Sequence, residues 1–215
     1  MGTIDIGTRG RSAYREILDA IRKGVYKSGD RLREEEVAQR LGVSRTPVRE
    51  AFGRLVEKGL LQPAPGRGLE IASLDMGEVF ELYAVRGELE GLVARFAAQH
   101  ATDAEISNFR RLNEQFAAAR SADEAAQLNR QFHARLYDAA RNRYLRTAVD
   151  DLHETVALLP VTTFTHETRL AAAVHEHEQV IAAIAARDPE TAASAAKAHI
   201  SNALATRLQL RGESD

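Results

Sequence analysis

The feature that most limits the fold of this chain is a series of short segments before residue 75, each separated from the next by a turn. The first segment, 12–27, has the spacing of an amphipathic helix, with Ser12 as a capping residue and Gly24 as a stop signal. Its apolar face consists of Ile17, Leu18, Ile21 and Val25. A turn at 28–30 then separates this helix from the next segment.

Two further helices and two strands follow that turn. The predicted helices span 34–41 and about 45–58, and the predicted strands span 60–62 and 69–71. Gly42 stops the second helix, Ser44 is placed to cap the third, and a loop rich in proline and glycine joins the strands. This order is typical of a winged helix-turn-helix, a fold that binds DNA.

The third helix begins with side chains that suit contact with DNA. Arg45 and Arg49 share one helix face, and an arginine binds a guanine edge bidentately or pairs with a phosphate. Ser44 and Thr46 add hydroxyls at a helix N-terminus, where free backbone N–H groups favour phosphate. The buried side is predicted to consist of Val48, Ala51, Phe52, Leu55 and Val56. Most arginine pairs are solvated helix faces, but the turn, cap, helix and wing together favour DNA binding here.

The predicted wing carries one cation at its tip. Gly66, Arg67 and Gly68 place this cation on a flexible loop that can reach a groove or the DNA backbone. The acidic run Glu34–Glu36 is unsuited to phosphate. It is interpreted as the solvated first turn of the second helix, where the helix dipole favours negative charge.

Charge and periodicity divide the chain into two predicted domains, 1–74 and 75–215. The first holds 14 Lys and Arg against 10 Asp and Glu and the second 15 against 21, so only the first is expected to meet a polyanion. The helices predicted in the second domain are 75–100, 102–119, 122–140, 143–159, 166–186 and 189–210, with Pro160 and Pro189 at boundaries. The predicted fold class is mainly α: an N-terminal winged helix-turn-helix and a C-terminal all-α bundle of about six helices.

Composition excludes several classes of protein. The chain has no cysteine, which excludes disulfides and thiolate metal sites and leaves His, carboxylate or amide oxygen as metal ligands. No apolar run approaches the ~20 residues that a membrane span needs. The first residues lack the apolar core of a signal peptide, so a cytoplasmic protein without a membrane partner is expected.

One arginine lies within the apolar stripe of the first helix of the second domain. The stripe consists of Val79, Leu82, Arg86, Leu89, Val93 and Phe96, at alternate spacings of three and four. A guanidinium is costly to bury without an anion. Glu90, four residues on, could supply that anion, and so could the carboxylate of a ligand.

Three other helices each direct a histidine towards the interior. These residues are His133, His177 and His199, and Asn129 lies one turn before His133 on the same face. Converging imidazoles suit a divalent metal. A single interior histidine is more often a hydrogen-bonded core residue, so a metal site and an ordinary polar pocket both stay open. The remaining histidines, His100, His153, His166 and His175, are predicted to be peripheral.

The stretch GDRLREEEVAQRLGVSRTPVREAFGRLVEKGLLQPAPGRGLEI resembles the DNA-binding domain of GntR-family regulators, most specifically in LGVSRTPVREA. The resemblance implies that Ser44, Arg45, Thr46 and Arg49 contact an operator and that Gly66 and Arg67 of the wing enter the minor groove. It also implies a homodimer on a palindromic site, in agreement with the spacing that two half-sites require.

Residues 75–211 resemble the helical ligand-binding domain of the FadR-type subgroup, the FCD domain, in RGELEGLVARFAA, NRQFHARLYDAARNRYL, HEQVIAAIAARDPETA and AAKAHISNAL. Many members hold a metal with one Asp and three His. His133, His177 and His199 match the histidines, whereas Asn129 stands where the family has Asp. The resemblance therefore implies either a divalent metal, zinc first and nickel or another as alternatives, or a site left empty by the weaker amide ligand. It also implies a small organic-acid effector, for which Arg86 is the natural partner.

The sequence thus predicts a ligand-responsive transcription regulator and not an enzyme. Two rivals stay open at this stage. One is a metal-dependent enzyme in the helical domain, which no acid–base residue on the stripes supports. The other is an architectural DNA-binding protein without an effector, which the interior arginine and histidines disfavour.

Overall fold

The structure is a computed structural model, and it describes residues 6–66, 68–159 and 162–212. By the contacts between their Cα atoms, the residues form two compact units, Met1–Asp75 with Asp151–Pro160, and Met76–Asp150 with Val161–Asp215. The predicted domain boundary between residues 74 and 75 stays a prediction. The first unit consists of two separate stretches of the chain.

The first unit, which we call the winged unit, contains three helices and a small sheet. Its elements are α1 (Ile6–Arg22), β1 (Arg31–Leu32), α2 (Glu34–Leu41), α3 (Arg45–Glu57), β2 (Leu61–Pro63) and β3 (Leu69–Ile71). The strands are antiparallel in the order β1-β3-β2, with Leu61 opposite Ile71 and Leu32 opposite Leu69. The predicted fold class is confirmed.

A tight turn sets the angle between α2 and α3. Gly42 ends α2 with φ 65°, a left-handed conformation that an L side chain rarely adopts, and its N–H donates to the carbonyls of Ala38 and Gln39. Ser44 takes the N-cap position of α3, although its side chain makes no capping hydrogen bond. Val48, Ala51, Phe52 and Leu55 of α3 are buried, as predicted.

Four details of the winged unit differ from the predictions. Helix α1 begins at Ile6, so Ser12 lies within the helix and donates to Glu16 (3.0 Å) instead of capping. Val25 comes after the end of α1 and is 44% exposed, and Val56 is 40% exposed, so neither belongs to the core. Strand β1 was not predicted, because two residues are too short to produce an alternating pattern.

The stretch 151–160 completes the winged unit. Leu158 is 4% exposed and belongs to the same apolar core as Ile17 and Leu55. The Tyr14 hydroxyl donates to Glu154 (2.6 Å), and Lys58, at the C-cap of α3, pairs with Asp151 and with Glu154. Core burial and ion pairing therefore both join this stretch to α1 and α3.

The second unit, the helical unit, is a bundle. The helices in this part of the chain are α4 (Met76–His100), α5 (Asp103–Ala117), α6 (Ala122–Ala139), α7 (Arg143–Thr155), α8 (Arg169–Ala185) and α9 (Pro189–Gly212). Short 3-10 turns follow α7 and precede α8. Helix α9 packs along α4 and α8, while α5 packs on α6 and α8. All six predicted helices are thus present among the described residues. Within the same residues, no helix combines the length and apolarity that crossing a bilayer requires.

Candidate functional sites

The start of α3 forms an exposed polar surface. Ser44, Arg45, Thr46 and Arg49 are all exposed, and the side chains of Arg45 and Arg49 are 60% and 67% accessible. Pro47 and Val48 between them face the core. This alternation leaves two guanidinium groups and two hydroxyls outside a rigid scaffold, where they can reach a polyanion.

Both arginines are held by one carboxylate from α2. Arg49 donates to Glu34 through Nε (3.0 Å) and Nη2 (2.9 Å), and Arg45 donates through Nη2 at 3.5 Å. The hydrogen bond from Arg49 lowers the pKa of Glu34, and the same contact raises the pKa of Arg49. The predicted solvated turn therefore describes Glu35 and Glu36, which are exposed, but not Glu34, which sequence reasoning missed as a site residue.

The wing between β2 and β3 is shaped by two glycines. Gly66 has φ +99° and Gly68 has φ +105°, both in the region that favours glycine, and the Ala64 N–H donates to the Gly68 carbonyl (3.1 Å). Arg31 of β1 donates to the Pro65 carbonyl (2.6 Å) and ties the sheet to the loop. The predicted contact residue Arg67 lies outside the described residues.

The three predicted interior histidines meet inside the helical unit. His133 (α6), His177 (α8) and His199 (α9) are 3%, 1% and 4% exposed, and each offers a ligand atom within 4.8 Å of the others. Their ring centroids are 4.8 to 5.6 Å apart. Phe132 stacks on His177 at 4.0 Å and fixes the plane of that ring. We refer to these three residues as the histidine cluster.

Each histidine of the cluster is oriented by an oxygen atom at its Nδ1. Glu90 lies 3.1 Å from Nδ1 of His133, the Asn113 side-chain oxygen 3.2 Å from that of His177, and Glu176 2.7 Å from that of His199. A neutral imidazole that donates from Nδ1 carries its lone pair on Nε2. The three partners therefore select the tautomer in which Nε2 can bind a metal.

Asn129 and His177 each carry a buried polar atom that has no hydrogen-bond partner among the described residues. These atoms are the side-chain oxygen Oδ1 of Asn129 and Nε2 of His177, and both are inaccessible to solvent. Asn129 lies one turn before His133 on α6. A buried polar atom without a partner costs about 1–3 kcal/mol, so these atoms fit a site that is completed by a cation.

Burial keeps two members of the cluster, His177 and His199, uncharged at neutral pH. Burial lowers the pKa of His177 well below its ordinary value, and the neighbouring His199, His133 and Arg169 side chains lower it further. Burial likewise lowers the pKa of His199 to about 4, against the opposing hydrogen bond to Glu176. Neutral imidazoles are the form that binds metal, so the residues present fit a divalent ion.

Arg86 occupies the interior position that the stripe predicted. It is 7% exposed, its Nε lies 3.6 Å from Glu90, and its guanidinium lies 5.7 Å from the centre of the Tyr83 ring. The Nε has no hydrogen-bond partner within the described parts of the chain. Glu90 also accepts from the Tyr137 hydroxyl (2.5 Å) and lies against Nδ1 of His133. Because the Nε of Arg86 is not engaged in a hydrogen bond, the guanidinium keeps a donor for a further anion.

A second buried arginine was not predicted. Arg169 is 3% exposed and donates to Glu176 through Nη1 (2.9 Å) and Nη2 (2.8 Å), and Asn202 donates to the same carboxylate (2.9 Å). Burial alone would raise the pKa of Glu176, yet hydrogen bonds from His199 and Arg169 lower it to about 2. Arg169 and Glu176 are seven residues apart on α8, a two-turn spacing that could have revealed the pair.

Comparison with known proteins finds matches to both units. The description "Bacterial regulatory proteins, gntR family" matches residues 9–71, and "FCD domain" matches residues 81–202. The HTH-type transcriptional repressor RspR of Escherichia coli K12 is 30% identical over 203 residues, which cover 93% of this chain and 89% of RspR. The uncharacterized HTH-type transcriptional regulator YdhC of Bacillus subtilis is 28% identical over 88% of this chain and 86% of its own. The solved structure of E. coli McbR/YncC has a TM-score of 0.84 at 22% identity, over 94% of this chain and 98% of its own, and it supports the fold alone.

Proposed function

The chain belongs to the GntR family of bacterial regulatory proteins, in the FadR-type subgroup with an FCD domain, and on that premise we propose which of its residues bind DNA and which bind the effector. It is a DNA-binding regulator of transcription with a C-terminal effector-binding domain, and its family and relatives are regulators, not enzymes. Since DNA is its partner, we place its action in the cytoplasm.

We propose that Ser44, Arg45, Thr46 and Arg49 contact the operator, together with Gly66 and Arg67 of the wing. The observation that supports this is the exposure of all four α3 residues at the N-terminal end of one helix. The hydroxyls suit phosphate and the guanidinium groups suit base edges. A homodimer would present two such surfaces to a palindromic operator.

Binding to a duplex selected by the protein tests this proposal. The duplex is taken from a randomised pool by rounds of selection with the wild-type chain, and affinity is measured by fluorescence anisotropy. Arg49→Ala is expected to weaken binding about tenfold or more, since one bidentate base contact is worth ~1–3 kcal/mol. Arg15→Ala, which removes an exposed charge from α1, serves as the control. Equal losses in the two variants would refute a specific role for Arg49.

We further propose that the histidine cluster and Asn129 hold a divalent metal ion, zinc before nickel. The three buried imidazoles, their oriented Nδ1 atoms and the unpaired oxygen of Asn129 support this proposal. The bound ion would supply a Lewis acid for an oxygen of the effector. Because Asn129 is neutral, none of the proposed ligands brings negative charge to the ion.

A small carboxylate is the proposed effector, and Arg86 is its proposed partner. Buried Arg86 lies beside Glu90, which orients His133, so a carboxylate near the cluster could accept from the guanidinium bidentately. A thermal-shift screen of small mono-, di- and tricarboxylates with the metal-loaded protein tests this. An acid that raises the melting temperature of wild type but not of Arg86→Met is expected. If no acid changes either melting temperature or operator affinity, a purely structural helical unit is favoured instead.

Regulation requires that the effector bind two states of the protein unequally. We propose that effector binding changes the affinity for the operator. A gel-shift titration with the acid found in the screen measures this directly, and an unchanged operator affinity would reject it.

A further inference from the structure

Glu34 contacts Arg49 in a way that leaves part of the guanidinium unused. Both contacts are made by the Nε–Nη2 edge of Arg49, at 3.0 and 2.9 Å. A guanidinium carries five N–H donors in one plane. The edge formed by Nη1 and Nη2 therefore stays available while Glu34 is bound, and it has the two parallel donors that match O6 and N7 of guanine.

The Glu34 carboxylate is more buried than the two arginine side chains that it contacts. The Glu34 side chain is 26% accessible, against 67% for Arg49 and 60% for Arg45. Glu34 begins α2, where the helix dipole favours a negative charge. A long arginine side chain is thereby fixed from a rigid point, which reduces the conformational entropy that it loses on meeting a base.

The Glu34 carboxylate also reduces the positive charge that the start of α3 presents to phosphates. Two guanidinium groups with one carboxylate carry a net charge of one, and the carboxylate repels nearby phosphates. Binding to DNA of any sequence depends on phosphate neutralisation, whereas operator recognition depends on base contacts. Loss of the charge alone would strengthen phosphate contacts on both kinds of DNA, so a change in the ratio of the two affinities has to come from the positioning of Arg49.

We propose that Glu34 is a specificity-determining positioning residue, which holds Arg49 by its Nε–Nη2 edge so that the Nη1–Nη2 edge reads a base pair of the operator. Its negative charge at the same time disfavours binding to non-operator DNA. The inference rests on the proposed DNA-binding role of α3.

The test compares Glu34→Gln with Glu35→Gln in the full chain. Both variants remove one negative charge from the first turn of α2, but Glu35 is exposed and forms no ion pair or side-chain hydrogen bond with α3 among the described residues. Affinity is measured at several salt concentrations for the selected duplex and for a scrambled duplex of the same composition. Circular dichroism confirms that each variant is folded.

Glu34→Gln is expected to bind the scrambled duplex more tightly without gaining on the selected one. The ratio of the two affinities should then fall about tenfold, the size of one bidentate base contact. Glu35→Gln should shift both affinities alike and keep the ratio. A repeat of the selection with Glu34→Gln should lose preference at the base pair where Arg49→Ala loses it.

Equal ratios in Glu34→Gln and Glu35→Gln would overturn the inference, whether both affinities rise or both fall. Arg49→Ala separates this failure from that of the proposed function. If Arg49→Ala loses selected-duplex binding while the two glutamine variants match, only the role of Glu34 is wrong. If Arg49→Ala binds like wild type, the proposed operator surface is itself wrong and the inference fails with it.

Discussion

A carboxylate orients a functional side chain in each unit of this protein, but in different surroundings. In the winged unit, Glu34 holds Arg49, whose side chain is 67% accessible. In the helical unit, Glu176 holds His199, and the side chains of both are less than a tenth exposed. Arg49 meets its carboxylate through two hydrogen bonds and His199 through one, and the difference in burial determines how much each contact contributes to stability. The exposed contact leaves the Nη1–Nη2 edge of Arg49 open to solvent, whereas the buried contact only fixes its partner in place.

The largest expected effect comes from the histidine cluster of the helical unit. His177→Ala removes one of the three imidazoles of the proposed metal site, so the purified protein should contain far less metal than wild type. His175→Ala is the matched control, because His175 is exposed on the same helix. Metal content is measured by mass spectrometry on untagged protein that was purified without chelator. Equal metal in the two variants, or none in wild type, would make the cluster an ordinary polar pocket.

The next effect compares the two arginines that the carboxylates hold. Arg169→Ala leaves Glu176 buried without its main cation and should lower the free energy of unfolding by about 3–5 kcal/mol. Arg49→Ala breaks an exposed pair, which solvent screens, and should change the free energy of unfolding far less than Arg169→Ala does. Urea unfolding followed by circular dichroism gives both values. Similar losses in the two variants would mean that burial does not separate these pairs.

A smaller effect is expected from the carboxylate that orients His199. Glu176→Gln keeps the size of the side chain but weakens the hydrogen bond to Nδ1, so zinc affinity should fall about 10–100-fold. Glu178→Gln, an exposed change of the same kind on α8, should leave affinity unchanged. Competition with a chromogenic chelator measures both affinities. An unaffected Glu176→Gln would show that His199 needs no orienting partner.

The smallest effect is the stability contributed by Glu34. Glu34→Gln should change the free energy of unfolding by at most about 1 kcal/mol at neutral pH. Because Arg49 lowers the pKa of Glu34, this contribution is complete above the ordinary carboxyl pKa and is lost as the pH falls through the lowered value. Wild type and variant should therefore converge in thermal stability on acidification. A gap that widens at low pH would contradict the assigned pairing.

Local signals in the sequence predicted most of the fold. Gly42 and Ser44 placed the turn and the start of α3, and the apolar spacing placed the six helices of the helical unit. The start of α1 was missed because Ser12 is a good capping residue by type, whereas the helix continues back to Ile6. A capping preference is a weak signal when neighbouring residues can extend the helix.

The sequence predicted those site residues that stand out from the apolar pattern of their own helix. The histidines and Arg86 interrupt apolar stripes, so each was visible within its own helix. Glu34 and Asn113 were not visible, because what distinguishes them is a partner on another helix, at 15 and 64 positions along the chain. Periodicity indicates which side of a helix is buried, but pairing between helices depends on their packing.

The winged unit is formed by two separate stretches of the chain. This limits how the DNA-binding unit can be exchanged between proteins of this kind. A chimera that received only residues 1–75 would lose Leu158 from its core, and the acceptors of Tyr14 and Lys58 with it. A stable transplant has to carry 151–160 or supply equivalent side chains. Exchange of DNA-reading modules between such proteins is therefore constrained at two positions of the chain, and substitutions at α1 and at the end of α7 are expected to accumulate together.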